Sequence, residues 1–132
     1  MPLVKFNIPQ SLSGDRIAGL RTAVHQALVE HANVPSDDLF HVVHRLDATS
    51  LLVDHAFLGV ERSQEAVIVE ITFRMGRTEI QKQALYREIV RLAQARAQLR
   101  PEDIMVVLTE NTSLDWSFGA GVAQYAPAQV PA

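Results

Sequence analysis

Cysteine is absent from the 132 residues, so neither a disulfide nor a thiolate contributes to the fold or the chemistry. No apolar run approaches the roughly 20 residues that span a bilayer, and the N-terminus lacks the basic region, apolar stretch and small-residue cleavage site of a secretory signal. The expectation is a cytoplasmic protein with no membrane partner. An excess of positive charge is missing too: 12 Lys+Arg stand against 15 Asp+Glu, a formal charge of -3, and the basic residues are scattered rather than banded, which argues against nucleic acid. Where positive charge matters it should be local, as one or two arginines facing a small anion. No serine sits in a nucleophile-elbow pattern, and Gly119-Ala120-Gly121 is too short for a phosphate-binding loop. His41-Val42-Val43-His44 has ligand-like spacing, but on a strand positions three apart face opposite sides, so no metal centre is expected.

What the chain does contain is an internal repeat with an offset of 65 residues. Leu3-Val4-Lys5-Phe6-Asn7-Ile8 maps onto Ile68-Val69-Glu70-Ile71-Thr72-Phe73, both with the β-branched and aromatic content of buried strands. Ser13, a helix N-cap candidate, maps onto Thr78, which with Gln81 forms a capping-box pattern. Ile17, Leu20, Val24, Ala27 and Leu28 make a helical stripe that Leu85, Ile89, Leu92 and Ala93 largely repeat. Asp37 to Val43 then maps onto Glu102 to Leu108, another strand. Each half reads strand, helix, strand, and a crossover helix makes the two strands of a unit parallel. The chain is long enough for one domain with its own core. Its parts are a first unit over 2–45, a linker over 46–65 with one short strand at Ser50 to Val53, a second unit over 66–110, and a C-terminal hairpin with a frayed Ala/Pro-rich tail over 111–132. Two β-α-β units bury their sheets together as an α/β fold (α+β by some schemes), a four-stranded sheet with both helices on one face. The other face stays partly apolar, which points to association with further copies of the chain.

A duplicated scaffold is most telling where its halves differ. The Met1-Pro2 start falls on Ala66-Val67, which has no proline, and Leu12 pairs with Arg77. If Met1 is removed, as a small second residue permits, Pro2 is a free secondary amine at the head of a strand, and α-amino groups titrate near pH 8, more than two units below lysine. One half supplies an amine and the other an arginine, whose planar fork suits a carboxylate. The competing reading of Pro2 is an ordinary Met-Pro start. That of Arg77 is a surface arginine near a helix start, a place its charge does not favour.

Pro2, the two strand-helix-strand units, Arg74-Met75-Gly76-Arg77-Thr78 and Glu110-Asn111 through Asp115-Trp116-Ser117-Phe118-Gly119 together resemble the tautomerase superfamily, and within it the malonate semialdehyde decarboxylase group. The resemblance spans residues 2 to 125. It implies a tautomerase-like fold of fused β-α-β units assembled as a homotrimer, an N-terminal proline in each active site, small oxo acids as substrates, and no metal or organic cofactor. It also implies that Pro2 is the catalytic acid or base, that Arg77 binds the substrate carboxylate, and that Trp116 and Phe118, with Tyr125 as an addition, form a hydrophobic wall over the proline. Arg74 departs from the family's pattern, in which two arginines flank one residue; here Met75 and Gly76 separate them, and whether Arg74 reaches the site stays open. Asp38, in the turn Val34-Pro35-Ser36-Asp37-Asp38, matches the family's aspartate, which would orient water or hold the proline's proton. Its repeat partner Asp103 gives the same position a structural use as a turn or cap.

The expected activity is keto-enol tautomerisation of a phenylpyruvate-like acid. The alternatives are decarboxylation of malonate semialdehyde or a related 3-oxo acid, with cationic Pro2 stabilising the enolate, and hydration of an acetylenic acid with Asp38 activating water. A different class of protein, a trimeric binding or scaffold protein without chemistry, would retain Met1 and so hold an amide nitrogen at Pro2.

Overall fold

The computed structural model describes residues 1–127. The elements follow in the order β1 (Leu3–Pro9), α1 (Gly14–His31), β2 (His41–Leu46), β3 (Val67–Arg74), α2 (Glu79–Ala97) and β4 (Ile104–Asn111). The sheet runs β2-β1-β3-β4. As the repeat requires, β1 and β2 are parallel and β3 and β4 are parallel, while β1 and β3 join the units antiparallel. The offset of 65 residues carries the pair Phe6–Val69 onto Ile71–Val4, which is itself a pair of the same ladder. The two units are thus related by an approximate twofold axis through the β1–β3 ladder.

Alternation along β1 and β3 buries Val4, Phe6 and Ile8 with Val67, Val69, Ile71 and Phe73, in one cluster with the helical stripes Ile17, Leu20, Val24, Ala27, Leu28 and Leu85, Ile89, Leu92, Ala93. Both helices begin at side-chain caps. Ser13 Oγ accepts from the Arg16 amide, and Thr78 closes a capping box with Gln81, which satisfies amides that the first turn leaves without partners. On the opposite sheet face the apolar residues are not covered: Val42, Met105 and Val107 are 39–42% exposed.

Two local expectations are corrected. No strand forms at Ser50 to Val53. Asp47 instead turns the chain, its Oδ1 accepting from the Thr49 amide (3.0 Å) and hydroxyl (2.8 Å), and Asp54 does the same for the amides of Ala56 and Phe57 at the 3-10 turn Phe57–Gly59. Asx turns of this kind offer the backbone partners that a strand would otherwise supply. Nor does a hairpin follow β4 among the described residues. Thr112 and Asp115 cap a 3-10 turn at Ser113–Asp115, after which positive φ at Gly119, Ala120 and Gly121 coils the chain too tightly for strand pairing. The frayed tail expected at the end of the chain falls in part on residues 128–132, outside the described residues. Among those described, no helix is long and apolar enough to cross a membrane.

The helices come into close contact at Gly19, where an added Cβ would lie 2.2 Å from the Arg96 carbonyl oxygen and 2.8 Å from its carbon. Those atoms are backbone and cannot swing aside. Gly19→Ala should therefore lower stability in urea by about 1–3 kcal/mol, despite alanine's higher helix propensity; an unchanged or raised denaturation midpoint would show that the helices separate freely.

Candidate active site

The antiparallel ladder sets the start of β1 beside the end of β3, with Leu3 opposite Thr72, and the parallel ladders bring the start of β2 and the end of β4 to the same end of the sheet. Pro2 is buried there. The amino group of Met1 forms an ion pair with Asp38 Oδ2, and the Met1 side chain is enclosed, with 7% of the residue exposed. Asp38 Oδ1 is buried and has no hydrogen-bond partner. A buried carboxylate oxygen without a donor is costly, and among the described residues nothing donates to this one.

Arg77 enters from the loop between β3 and α2. Its Nε and Nη2 donate to the Ala32 carbonyl at 3.0 and 2.8 Å, its Nη1 donates to the Arg74 carbonyl at 2.8 Å, and its guanidinium lies 4.6 Å from the centre of the Phe73 ring. Ala32 is the C-cap of α1, so the charge that is awkward at the start of α2 is favourable at the end of α1. A guanidinium has five N–H groups; these contacts leave one on each Nη. Burial draws the Arg77 pKa downward and the charge of Arg74 acts in the same sense, while Glu110 and Asp38 oppose it. Arg74 is exposed, with its guanidinium 6.0 Å from the Tyr125 ring centre. A cleft of ≈ 440 Å³ opens between Asn33, Arg74, Arg77 and Thr112.

The aromatic residues gather beside these groups. Trp116 and Phe118 stack with centroids 5.5 Å apart and planes 6° from parallel, and Tyr125 meets Phe118 edge-on at 5.7 Å. Asn111 Oδ1 accepts from Trp116 Nε1 at 2.7 Å, which fixes the cluster to the end of β4. Phe40, which the sequence did not single out, packs on Phe118 at 5.5 Å. Its carbonyl accepts from the Val4 amide at 3.0 Å, so the cluster reaches back to the strand that begins at Pro2. An aromatic two residues after Asp38 was the available signal; only the folded C-terminal segment gives it a partner. The structure thus brings Pro2, Asp38, Phe40, Arg74, Arg77, Trp116, Phe118 and Tyr125 to one end of the sheet.

At the other end, related by the repeat, the corresponding groups are internally satisfied. Asp103 is 1% exposed and accepts from the Ser63 amide (2.7 Å) and hydroxyl (2.6 Å). Val67 stands in place of Pro2. A cleft of ≈ 470 Å³ lies here against Ser63 and Ala66, yet it holds no amine, so chemistry rather than volume locates the site. The histidines of β2 point apart: His41 meets the Phe6 ring edge-on, whereas His44 meets Asn7. Among the described residues, Glu30, His31 and Glu88 have metal-ligand spacing. Arg91 already pairs with Glu88, and the trio reads as a helix-surface ion-pair network.

An amine-bearing terminus, an orphaned carboxylate oxygen, a guanidinium with two free N–H groups and an aromatic wall can together bind a small anion and move a proton. The comparisons define the class. The sequence profile of the family described as "Tautomerase enzyme" matches residues 38–119, and the chain belongs to that family: it is an enzyme of the tautomerase superfamily. It is 36% identical over 124 residues to the probable tautomerase YusQ of Bacillus subtilis (strain 168), covering 94% of this chain and 98% of the relative. Among solved structures, malonate semialdehyde decarboxylase, known in wild-type, mutant and inactivated forms, superposes with a TM-score of 0.87 at 30% identity, covering 93% of this chain and 95% of that one. The FG41 malonate semialdehyde decarboxylase inhibited by 3-bromopropiolate gives a TM-score of 0.86 at 32% identity, covering 93% of each chain.

His41 links the site to the core. Burial first, then the charge of Arg21, then His25, pull its pKa from 6.5 down to about 4. An unfolded histidine takes up its proton near pH 6.5 and the folded one resists to about 4, so the unfolded state binds more protons in that window and stability falls as pH drops through it. Denaturation between pH 7 and 4.5 should reveal a loss of roughly 1–3 kcal/mol that His41→Gln reduces; an equal loss in both proteins would assign the acid sensitivity elsewhere.

Proposed function

We propose that the enzyme, once Met1 is removed, uses the Pro2 amine as acid or base on a small oxo carboxylic acid without a cofactor, and that its principal reaction is keto-enol tautomerisation of a phenylpyruvate-like substrate in the cytoplasm. The observation that carries this reading is the inequality of the two repeat-related ends. Asp103 is saturated by Ser63, whereas Asp38 keeps a buried oxygen without a donor. Removal of Met1, whose ammonium pairs with Asp38 Oδ2, frees the Pro2 amine and leaves Asp38 without that partner.

In this reading the two free N–H groups of Arg77 take the substrate carboxylate as a fork. Pro2 removes the proton from the carbon next to the carbonyl and returns it at the other end of the enol system. Asp38 holds the ammonium form through its carboxylate. The Trp116–Phe118 stack, with Phe40 and Tyr125, excludes water and strengthens the field on the developing enolate. Arg74, at the mouth of the cleft, draws anions in.

A second reading is decarboxylation of malonate semialdehyde. It is favoured by the likeness to two malonate semialdehyde decarboxylases, one of them described as having decarboxylase and hydratase activities. There Pro2 is the cation: carbon dioxide leaves, its electron pair becomes the enolate, and the ammonium stabilises and then protonates it. Hydration of an acetylenic acid would instead have Asp38 activate water. Self-association as a homotrimer would cover the apolar sheet face bearing Val42, Met105 and Val107.

The test uses mature protein whose intact mass lacks Met1 and whose mass in solution is that of three chains, with enol phenylpyruvate, malonate semialdehyde and 2-oxo-3-pentynoate as substrates. Pro2→Ala should lower the favoured rate by about 100-fold or more, and Arg77→Met should raise KM more than it lowers kcat. A Pro2→Ala protein with every rate intact would remove the amine from the mechanism, whereas a native protein that retains Met1 and turns over none of the three would leave a binding protein instead.

A further inference from the structure

We propose that Arg16 heads a second carboxylate site, the repeat counterpart of the one at Arg77, and that the chain keeps it closed with its own Glu65. The offset of 65 residues carries Ala32 onto Ala97. Arg77 donates Nε and Nη2 to the Ala32 carbonyl; Arg16 donates Nε to the Ala97 carbonyl at 2.8 Å and Nη2 to that of Gln98 at 3.0 Å. Each arginine starts near the beginning of one helix and caps the end of the other. They do not occupy matching sequence positions, since Arg77 precedes the N-cap of α2 and Arg16 lies three residues after that of α1. The shared feature is the guanidinium and the carbonyl that anchors it.

They differ in what the outer edge of the guanidinium holds. Arg77 has no carboxylate there. Arg16 holds Glu65 as a fork, Nη1 to Oε2 at 2.5 Å and Nη2 to Oε1 at 3.1 Å. Glu65 stands two residues before Val67, the counterpart of Pro2, and the offset places its own counterpart just ahead of Met1. A side-chain carboxylate therefore stands on Arg16 in the pose proposed for a substrate carboxylate on Arg77. The pair is partly open to solvent, with the Glu65 side chain 45% and that of Arg16 23% exposed, so a competing anion can displace it. With Val67 in place of Pro2, and so no free amine, this site would hold a ligand without transforming it. Glu65, tethered to the same backbone, acts as a competitor at a local concentration on the order of millimolar or above, which keeps the site closed at ordinary ligand levels.

Propionate is the probe, and the Arg16 Nε–H resonance is the readout. In Glu65→Ala, Arg16 should respond saturably at a propionate concentration at least about tenfold below that needed in the wild type, and Arg16→Met in the Glu65→Ala background should abolish the second binding event. An Arg16 resonance equally unresponsive in Glu65→Ala and wild type overturns the proposal. Should Glu65→Ala fold poorly, propionate must raise its melting temperature, relative to chloride at equal ionic strength, more than it raises that of the wild type, which has the same Arg77; an equal rise in the two proteins also overturns it. The Arg77 Nε–H resonance reports the first site in the same titration. A response at Arg77 without one at Arg16 refutes only this inference, and a response at Arg16 without one at Arg77 refutes only the substrate-carboxylate reading of Arg77.

Discussion

Because β1 and β3 pair antiparallel, with Leu3 opposite Thr72 and Val4 opposite Ile71, the first residues of the chain lie against the last residues of β3, more than sixty positions away in sequence. That ladder does two things at once. It completes the core, since neither β-α-β unit can bury a sheet face and a helix alone, and it sets the N-terminus within reach of the loop that carries Arg74 and Arg77. A ladder slipped by one residue would turn Val4, Phe6 and Ile8 out of the core. The hydrophobic pattern that specifies the fold therefore also fixes where the N-terminal amine sits.

The same ladder generates two equivalent ends, and they have taken different courses. At one end the polar groups are closed on one another: Asp103 on Ser63, Arg16 on Glu65. At the other end Asp38 and Arg77 are held in place by backbone, through the turn at Pro35 and the carbonyls of Ala32 and Arg74, but are not neutralised by it. Side chains anchored by the main chain and left with free donors or acceptors are preorganised for a ligand, because little rearrangement is needed when it arrives. Arg77 thus serves the fold and the proposed chemistry together, on different N–H groups of one guanidinium.

Strands, helices and their caps were legible in the sequence because they depend on periodicity and on neighbours three or four residues apart, and because the repeat states each of them twice. The Ser13 and Thr78 caps and both buried stripes are of this kind. Elements decided by local side-chain turns were misread: the Asp47 and Asp54 turns replace the strand at Ser50 to Val53, and the glycine-rich coil after Thr112 replaces a hairpin. Pro2 and Arg77 stood out because the repeat breaks at both. Phe40 did not, because its role arises only when Phe118 folds back onto it. The partner of Arg77, the Ala32 carbonyl, was equally hidden: it is 45 residues away, and no sequence pattern encodes a main-chain oxygen.

The central claim is that a free Pro2 nitrogen faces a carboxylate-binding pocket formed by Arg77, Asp38 and the aromatic cluster. The most direct measurement is to treat the native protein with 2-oxo-3-pentynoate, whose carboxylate should dock at Arg77 and whose alkyne accepts an amine by conjugate addition, and then to map the added mass by peptide mass spectrometry. One adduct per chain is expected, on the peptide beginning at Pro2, formed more slowly when a competing carboxylate is present. An adduct on Lys5 or another side chain, or an N-terminal peptide that still begins with Met1 and stays unmodified, would contradict it.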